Sequence, residues 1–162
     1  FVVIGGQAVN IFGLSRLTAD IDLVVPRRDK ARWSALMEKL NYTVQQDDAR
    51  FARYKPDTLA AWPIDLMFVD DQTFTRLEQE SSEAFFGVAR AQVASGRHLV
   101  TLKLHALKHY QEHRFAKDFS DVVGLLRSGK TGLSLVELRE LCERYADLKL
   151  FEKLKDELPN GA

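Results

Sequence analysis

Apolar and polar positions change their period partway along this chain. Up to about residue 97 they alternate or cluster in short β-branched runs, and from Leu99 onward they recur every three or four residues. Residues 1–4 (Phe-Val-Val-Ile) form an apolar run that stops at Gly5-Gly6, and residues 7–12 read as a short helix. Ile21, Leu23 and Val25 fall on the face opposite Asp20 and Asp22 in an expected strand. Trp33, Leu36, Met37 and Leu40 make one stripe, so a helix is expected over about 29–40, ended by Asn41. Residues 42–46, 50–55 and 64–69 read as strands, separated by the turn signals Asp47-Asp48 and Pro56-Asp57. A sheet of four or five strands with flanking helices follows. Beyond Asp71 the pattern weakens: 74–86 reads as partly helical and 88–93 as a further strand.

The second half predicts a helical bundle. A helix over about 99–115 would place Val100, Lys103, Leu107, Tyr110 and Arg114 on one face. Three later stripes, Phe119/Val122/Val123/Leu126, Leu135/Leu138/Cys142/Tyr145 and Leu150/Phe151/Leu154/Leu158, read as core, with a break at 129–132. Ser134 and Glu137 have capping-box spacing. The expected fold class is therefore α+β: an α/β core over 1–97, then a C-terminal helical region over 98–162 packed on it.

Chemistry enters with the acids. Gly5-Gly6 is followed after thirteen residues by Asp20-Ile21-Asp22, and Asp65 lies inside the apolar run 63–69. In a strand, i and i+2 project to one face roughly 7 Å apart, so Asp20 and Asp22 converge. Close ionised carboxylates repel, a bound cation relieves the repulsion, and Mg²⁺ suits one or two carboxylates plus phosphate and water. With Asp65 from a neighbouring strand, three acids can hold two ions about 3.5–4 Å apart, the clamp for in-line displacement at phosphorus. The plainer alternative is solvated acids on an edge strand. Glycines at the turn permit positive φ and let a phosphate approach the backbone. Between the helix and the acidic strand, residues 14–19 carry Ser15, Arg16 and Thr18 near the place of such a phosphate. Arg16 is either a phosphate clamp or a salt-bridge partner for the acids. Lys103, among core-facing residues, needs an acid or a phosphate, unless it snorkels at the helix edge. Lys117, Asp118 and Asp121 read as a local charge network. His105, His109 and His113 recur every four residues away from Lys103, the pattern of a solvated face, and His98 is given no role either.

The run Ile4-Gly5-Gly6-Gln7-Ala8-Val9 followed by Arg16-Leu17-Thr18-Ala19-Asp20-Ile21-Asp22-Leu23 resembles the signature of the DNA polymerase β-type nucleotidyltransferase superfamily, more narrowly its AbiEii-toxin-like branch. The resemblance covers about the first seventy residues; Lys103 and the Lys117-Asp118…Asp121 segment resemble helices of the same branch. It implies a nucleotidyltransferase-like sheet and transfer of a nucleotide from an NTP by two metals, Mg²⁺ or Mn²⁺. It further implies Asp20, Asp22 and Asp65 as catalytic metal ligands, with Gly5, Gly6, Arg16, Thr18 and Lys103 at the nucleotide. Position 6 is Gly where many members carry Ser. Members of the branch often act as toxins paired with an antitoxin. The acceptor hydroxyl is left open among RNA, protein and a small molecule. Two other readings stay open: a catalytically silent nucleotide- or partner-binding module, and a metal-dependent phosphohydrolase.

Composition adds bounds. Lys plus Arg and Asp plus Glu are 23 each in 162 residues, so bulk charge does not announce a nucleic-acid binder; Arg27, Arg28, Lys30 and Arg32 form a local basic patch. One cysteine, Cys142, precludes an intramolecular disulfide and fits a reducing compartment. No apolar run approaches the roughly 20 residues of a membrane span, and the cytoplasm is the expected setting. The chain starts inside a strand at Phe1, and a further helix is expected upstream of it, as in the resembled family.

Overall fold

The computed structural model describes residues 1–109 and 112–158. The chain forms two compact units, residues 1–11 with 15–94, and residues 12–14 with 95–162.

The first unit is a seven-stranded mixed sheet with helices. Its strands are β1 (Val2–Ile4), β2 (Ile21–Pro26), β3 (Tyr42–Asp47), β4 (Phe51–Pro56), β5 (Ile64–Val69), β6 (Ser82–Phe86) and β7 (Ala89–Val93), in the order β3-β4-β5-β2-β1-β7-β6. β2 with β5 and β1 with β7 are parallel, and the other neighbours are antiparallel. Central position explains composition here: all of β1 is buried and is continuously apolar, whereas β3, at the edge, is mostly exposed and polar. Helix α1 (Gly5–Ile11) follows β1, α2 (Lys30–Lys39) follows a short 3₁₀ turn after β2, and α3 (Asp71–Gln79) follows β5. Met37 of α2 is buried, as are Leu66, Phe68 and Val25 of the sheet. Ser34 of α2 and the Tyr54 hydroxyl share a hydrogen bond of 3.1 Å.

The sheet is larger than the four or five strands expected from sequence. The segment 74–86 divides into the end of α3 and strand β6, and β6 turns into β7 through Gly87, whose φ is +64°. Phe85 and Val88 point into solvent while the alternate positions Ala84, Ala89 and Ala91 are small, so the hairpin shows no clear apolar period. Asp70 starts α3 by accepting a hydrogen bond from the Thr73 backbone N–H at 2.8 Å.

The second unit holds α4 (Gly96–Lys108), α5 (Glu112–Arg127), α6 (Leu135–Tyr145) and α7 (Leu148–Asp156). The expected single helix over 99–115 is two helices: α4 starts earlier, capped by Ser95, and closes at His109, while Tyr110 lies outside the described residues. The backbone at His109 leaves helical geometry, with φ −97° and ψ 40°, which apolar periodicity does not reveal. Leu99, Leu104, Leu125, Leu138, Cys142 and Leu154 are fully buried and form the helical core. Gly124 leaves room for Leu14, because a Cβ there would lie 2.3 Å from the Leu14 Cδ2. The Ser134/Glu137 capping box is present in full. Among the described residues no helix is long and apolar enough to cross a membrane.

Candidate metal and nucleotide site

Strand register assembles the site. Ile4 pairs with Asp22, Asp22 with Asp65, and Asp65 with Arg53, one row across β1, β2, β5 and β4. Residues paired directly across a sheet share a face, so two carboxylates and a guanidinium meet without any loop having to place them. Asp20 joins from the residue just before β2. One carboxylate oxygen from each of Asp20, Asp22 and Asp65 lies within 4.8 Å of the others. Asp65 is buried, at 6% exposure, while Asp20 and Asp22 are half-buried.

The segment leading into β2 is extended, and its burial alternates: Arg16, Thr18 and Asp20 are sheltered while Leu17 and Ala19 are exposed. Asn10 of α1 anchors it at both backbone groups of one residue, donating to the Arg16 carbonyl at 2.9 Å and accepting from the Arg16 N–H at 3.1 Å. The Thr18 hydroxyl donates to Asp20 Oδ1 at 2.9 Å.

The glycines answer to this packing. Gly5 has φ +62°, and a Cβ there would lie 1.9 Å from Asp22 Oδ2, so any other residue displaces the carboxylate. At Gly6 a Cβ would stand 2.7 Å from Thr18 Oγ1 and 3.1 Å from Arg16 Nη2. A serine at position 6 therefore has no room while Thr18 keeps its place, and the Thr18 hydroxyl occupies that space instead.

Arg53 is the participant that sequence reasoning missed. Its Nε donates to Asp65 Oδ1 at 2.8 Å and its Nη2 donates to Oδ2, the two-pronged fork that a guanidinium presents to a carboxylate. The hydrogen bond it donates to Asp65 raises the Arg53 pKa above its ordinary value, against the opposing effect of burial, and the charges of Asp65, Asp20 and Asp22 add to the rise. Alternation on β4 places Ala52 and Tyr54 in the core and Arg53 on the acid face, but only the β4–β5 register sets Arg53 opposite Asp65.

As a donor set, three carboxylates are hard oxygen ligands of the kind Mg²⁺ and Mn²⁺ take. Arg53 pairs with Asp65, and the absent Cβ at Gly5 leaves room for the Asp22 carboxylate. The residues fit a divalent cation.

The remaining sequence candidates belong to the second unit. The Lys103 ammonium bonds to Asp118 at 2.5 Å and Asp121 at 2.8 Å, so the counter-charge it requires is supplied twice by α5. Asp118 and Asp121 do form a local network, with Lys103 at its centre, while Lys117 is exposed. His105 and His109 meet edge to face with ring centroids 4.8 Å apart, and the His113 side chain lies outside the described residues. Burial pushes the Cys142 thiol up to about 11, with Asp147 adding to the effect. An apolar cavity of about 560 Å³, lined by Phe1, Val3, Ile21, Leu23, Trp62 and Ile64 among others, lies on the sheet face opposite Asp22.

No protein-family model matches the chain, and no curated protein matches it in sequence. Solved structures do. The antibiotic-resistance factor ANT(2'')-Ia is similar with a TM-score of 0.62 and 17% identity, covering 94% of this chain and 86% of that one. The lincomycin-bound lincosamide antibiotic adenylyltransferase LnuA is similar with a TM-score of 0.56 and 15% identity, covering 77% and 84%. An antigenic nucleotidyltransferase-like protein from Paracoccidioides brasiliensis gives 0.54 and 17%, covering 94% and 84%. The fold of this chain is that of the nucleotidyltransferases, as the Gly-Gly and Asp-x-Asp signature implied.

Proposed function

We propose that the chain transfers a nucleoside monophosphate from an NTP to an acceptor hydroxyl, as a member of the DNA polymerase β-type superfamily. The supporting observation is the convergence of Asp20, Asp22 and Asp65 on one row of a nucleotidyltransferase-type sheet. In the reaction the acceptor oxygen bonds to the α-phosphorus, the bond from that phosphorus to the β-phosphate bridge breaks, and pyrophosphate leaves. Asp20, Asp22 and Asp65 would hold Mg²⁺ or Mn²⁺, which when bound neutralises phosphate charge and eases ionisation of the attacking hydroxyl. Asp65 receives the hydroxyl proton, being the acid shielded from bulk water. Arg16 and Thr18 orient the phosphates from the extended segment, and the bare backbone at Gly5 and Gly6 keeps Asp22 and Thr18 in place. Positioning and charge are most of what this chemistry requires of a protein. Lys103, held by Asp118 and Asp121, is assigned a structural role instead.

The description of LnuA as an antibiotic adenylyltransferase favours a small-molecule acceptor, whereas the resemblance to AbiEii-type toxins favours a macromolecular one and a partner antitoxin. One experiment separates these readings. Each α-³²P-labelled NTP is incubated with the protein, Mg²⁺ or Mn²⁺, and in turn total RNA, total protein and aminoglycoside-like small molecules, beside the Asp20→Asn/Asp22→Asn variant. Label that enters one acceptor class only with intact acids establishes transfer and names the class. Free labelled NMP without acceptor identifies a phosphohydrolase, and NTP binding without any product identifies a silent binding module.

A further inference from the structure

We propose that Arg53 is a built-in counter-ion of the acid cluster, which a divalent cation displaces from Asp65 on binding. The proposal rests on the reading that the acids take such a cation, and it concerns what the protein does before the cation arrives.

Three carboxylates with oxygens within 4.8 Å of one another repel, and Asp65 is buried, so water cannot relieve its share. Arg53 brings a positive charge to Asp65 by engaging both of its oxygens. Its exposure differs sharply from that of its partner: the Arg53 side chain is 48% exposed and that of Asp65 only 8%. The guanidinium thus reaches the carboxylate from the rim, with water as its alternative partner and the Phe51 ring 5.7 Å from its centre as a resting surface. A cation bound between Asp20, Asp22 and Asp65 would sit beside a fixed positive charge, and the two repel. Cation binding and the Arg53–Asp65 fork therefore oppose each other. An incoming triphosphate changes the balance, because its oxygens offer the displaced guanidinium a new partner. On this account Arg53 suppresses binding of the bare ion and favours its arrival together with nucleotide.

The test is Mn²⁺ binding without nucleotide, followed by electron paramagnetic resonance and by the Mn²⁺-dependent rise in thermal unfolding midpoint. Wild type is compared with Arg53→Met, which removes charge and fork but keeps the stem, with Arg53→Lys, which keeps the charge, and with Asp22→Asn. We expect Arg53→Met to bind Mn²⁺ on the order of tenfold more tightly than wild type, with a larger rise in midpoint, and Arg53→Lys to fall between them. Affinity that is unchanged or weaker in a folded Arg53→Met overturns the proposal. If that variant folds only when Mn²⁺ is supplied, the result supports it. If it folds under neither condition, Arg53→Lys decides: tighter binding than wild type supports the proposal and equal binding overturns it. Mn²⁺ binding that is absent from wild type and every Arg53 variant, with Asp22→Asn indistinguishable, overturns the metal reading and this proposal together. Binding that is present and equal in wild type and Arg53→Met removes only the counter-ion role.

Discussion

The two units each hold a cluster of acids with a paired cation, and the clusters differ in exposure. In the helices, Lys103 is 13% exposed and faces two acids exposed by 7% and 6%, so the charges are shut in together. In the sheet, the half-exposed Arg53 holds one buried acid, and Asp20 and Asp22 beside it are only half-buried. A closed cluster is a structural device: removing its cation leaves buried charge with nowhere to go. A half-exposed cluster can exchange its partners with water or a ligand at little cost. Burial, more than the presence of acids, separates the two clusters.

The comparison can be broken by exchanging effects on activity for effects on stability. The largest change is expected for Asp20→Asn/Asp22→Asn, which should lower nucleotidyl transfer by roughly 10³-fold, the several kcal/mol supplied by metal charge, without lowering the unfolding midpoint. Lys103→Met should act in the opposite sense, costing about 3–5 kcal/mol in urea unfolding because Asp118 and Asp121 lose their counter-charge. Neutralising both acids in the same chain should restore most of that loss. A Lys103→Met protein as stable as wild type would show that the helical cluster is not closed.

Gly5→Ala sharpens the link between backbone and site. The added Cβ overlaps Asp22 at a residue with φ +62°, so we expect about 1–3 kcal/mol of destabilisation and loss of Mn²⁺-dependent stabilisation, read by thermal unfolding with and without the ion. The smallest effect belongs to an exposed contact. The Ser134 backbone N–H, then Arg97, then the Ser134 hydroxyl lower the Glu137 pKa from its ordinary 4.5 to about 2. Because the folded value is the lower one, this contribution is complete above about pH 4.5 and is lost as pH falls toward 2. Glu137→Gln should flatten that part of the acid limb of the unfolding midpoint and leave the neutral region little changed.

Much of this was legible along the chain. Expected strands at 42–46, 50–55 and 64–69 and an expected helix at 29–40 fall within a residue or so of Tyr42–Asp47, Phe51–Pro56, Ile64–Val69 and Lys30–Lys39. Those elements have one apolar face against one polar face, and the period of 2.0 or 3.6 survives in the residue order. The β6–β7 hairpin lacks that contrast, since alanines line one side and Phe85 and Val88 face water. The break between α4 and α5 lies in a stretch where Leu107, Tyr110 and Arg114 keep helical spacing in the sequence, so periodicity passes over it.

The acids themselves were visible because Asp20 and Asp22 are neighbours in sequence and Asp65 interrupts an apolar run. Their partners were not. Arg53 is twelve residues from Asp65, and nothing local distinguishes it from other arginines nearby; Lys103 stands out among core-facing residues, but its pairing with Asp118 fifteen residues on does not. The sequence by itself determined the elements, the class of fold and the candidate ligands, because these follow from local period and from spacing within one segment. Tertiary structure alone decided which cation meets which acid and how deeply each is buried. Those depend on strand register and helix packing, and a charge is structural or reactive according to the water it has lost.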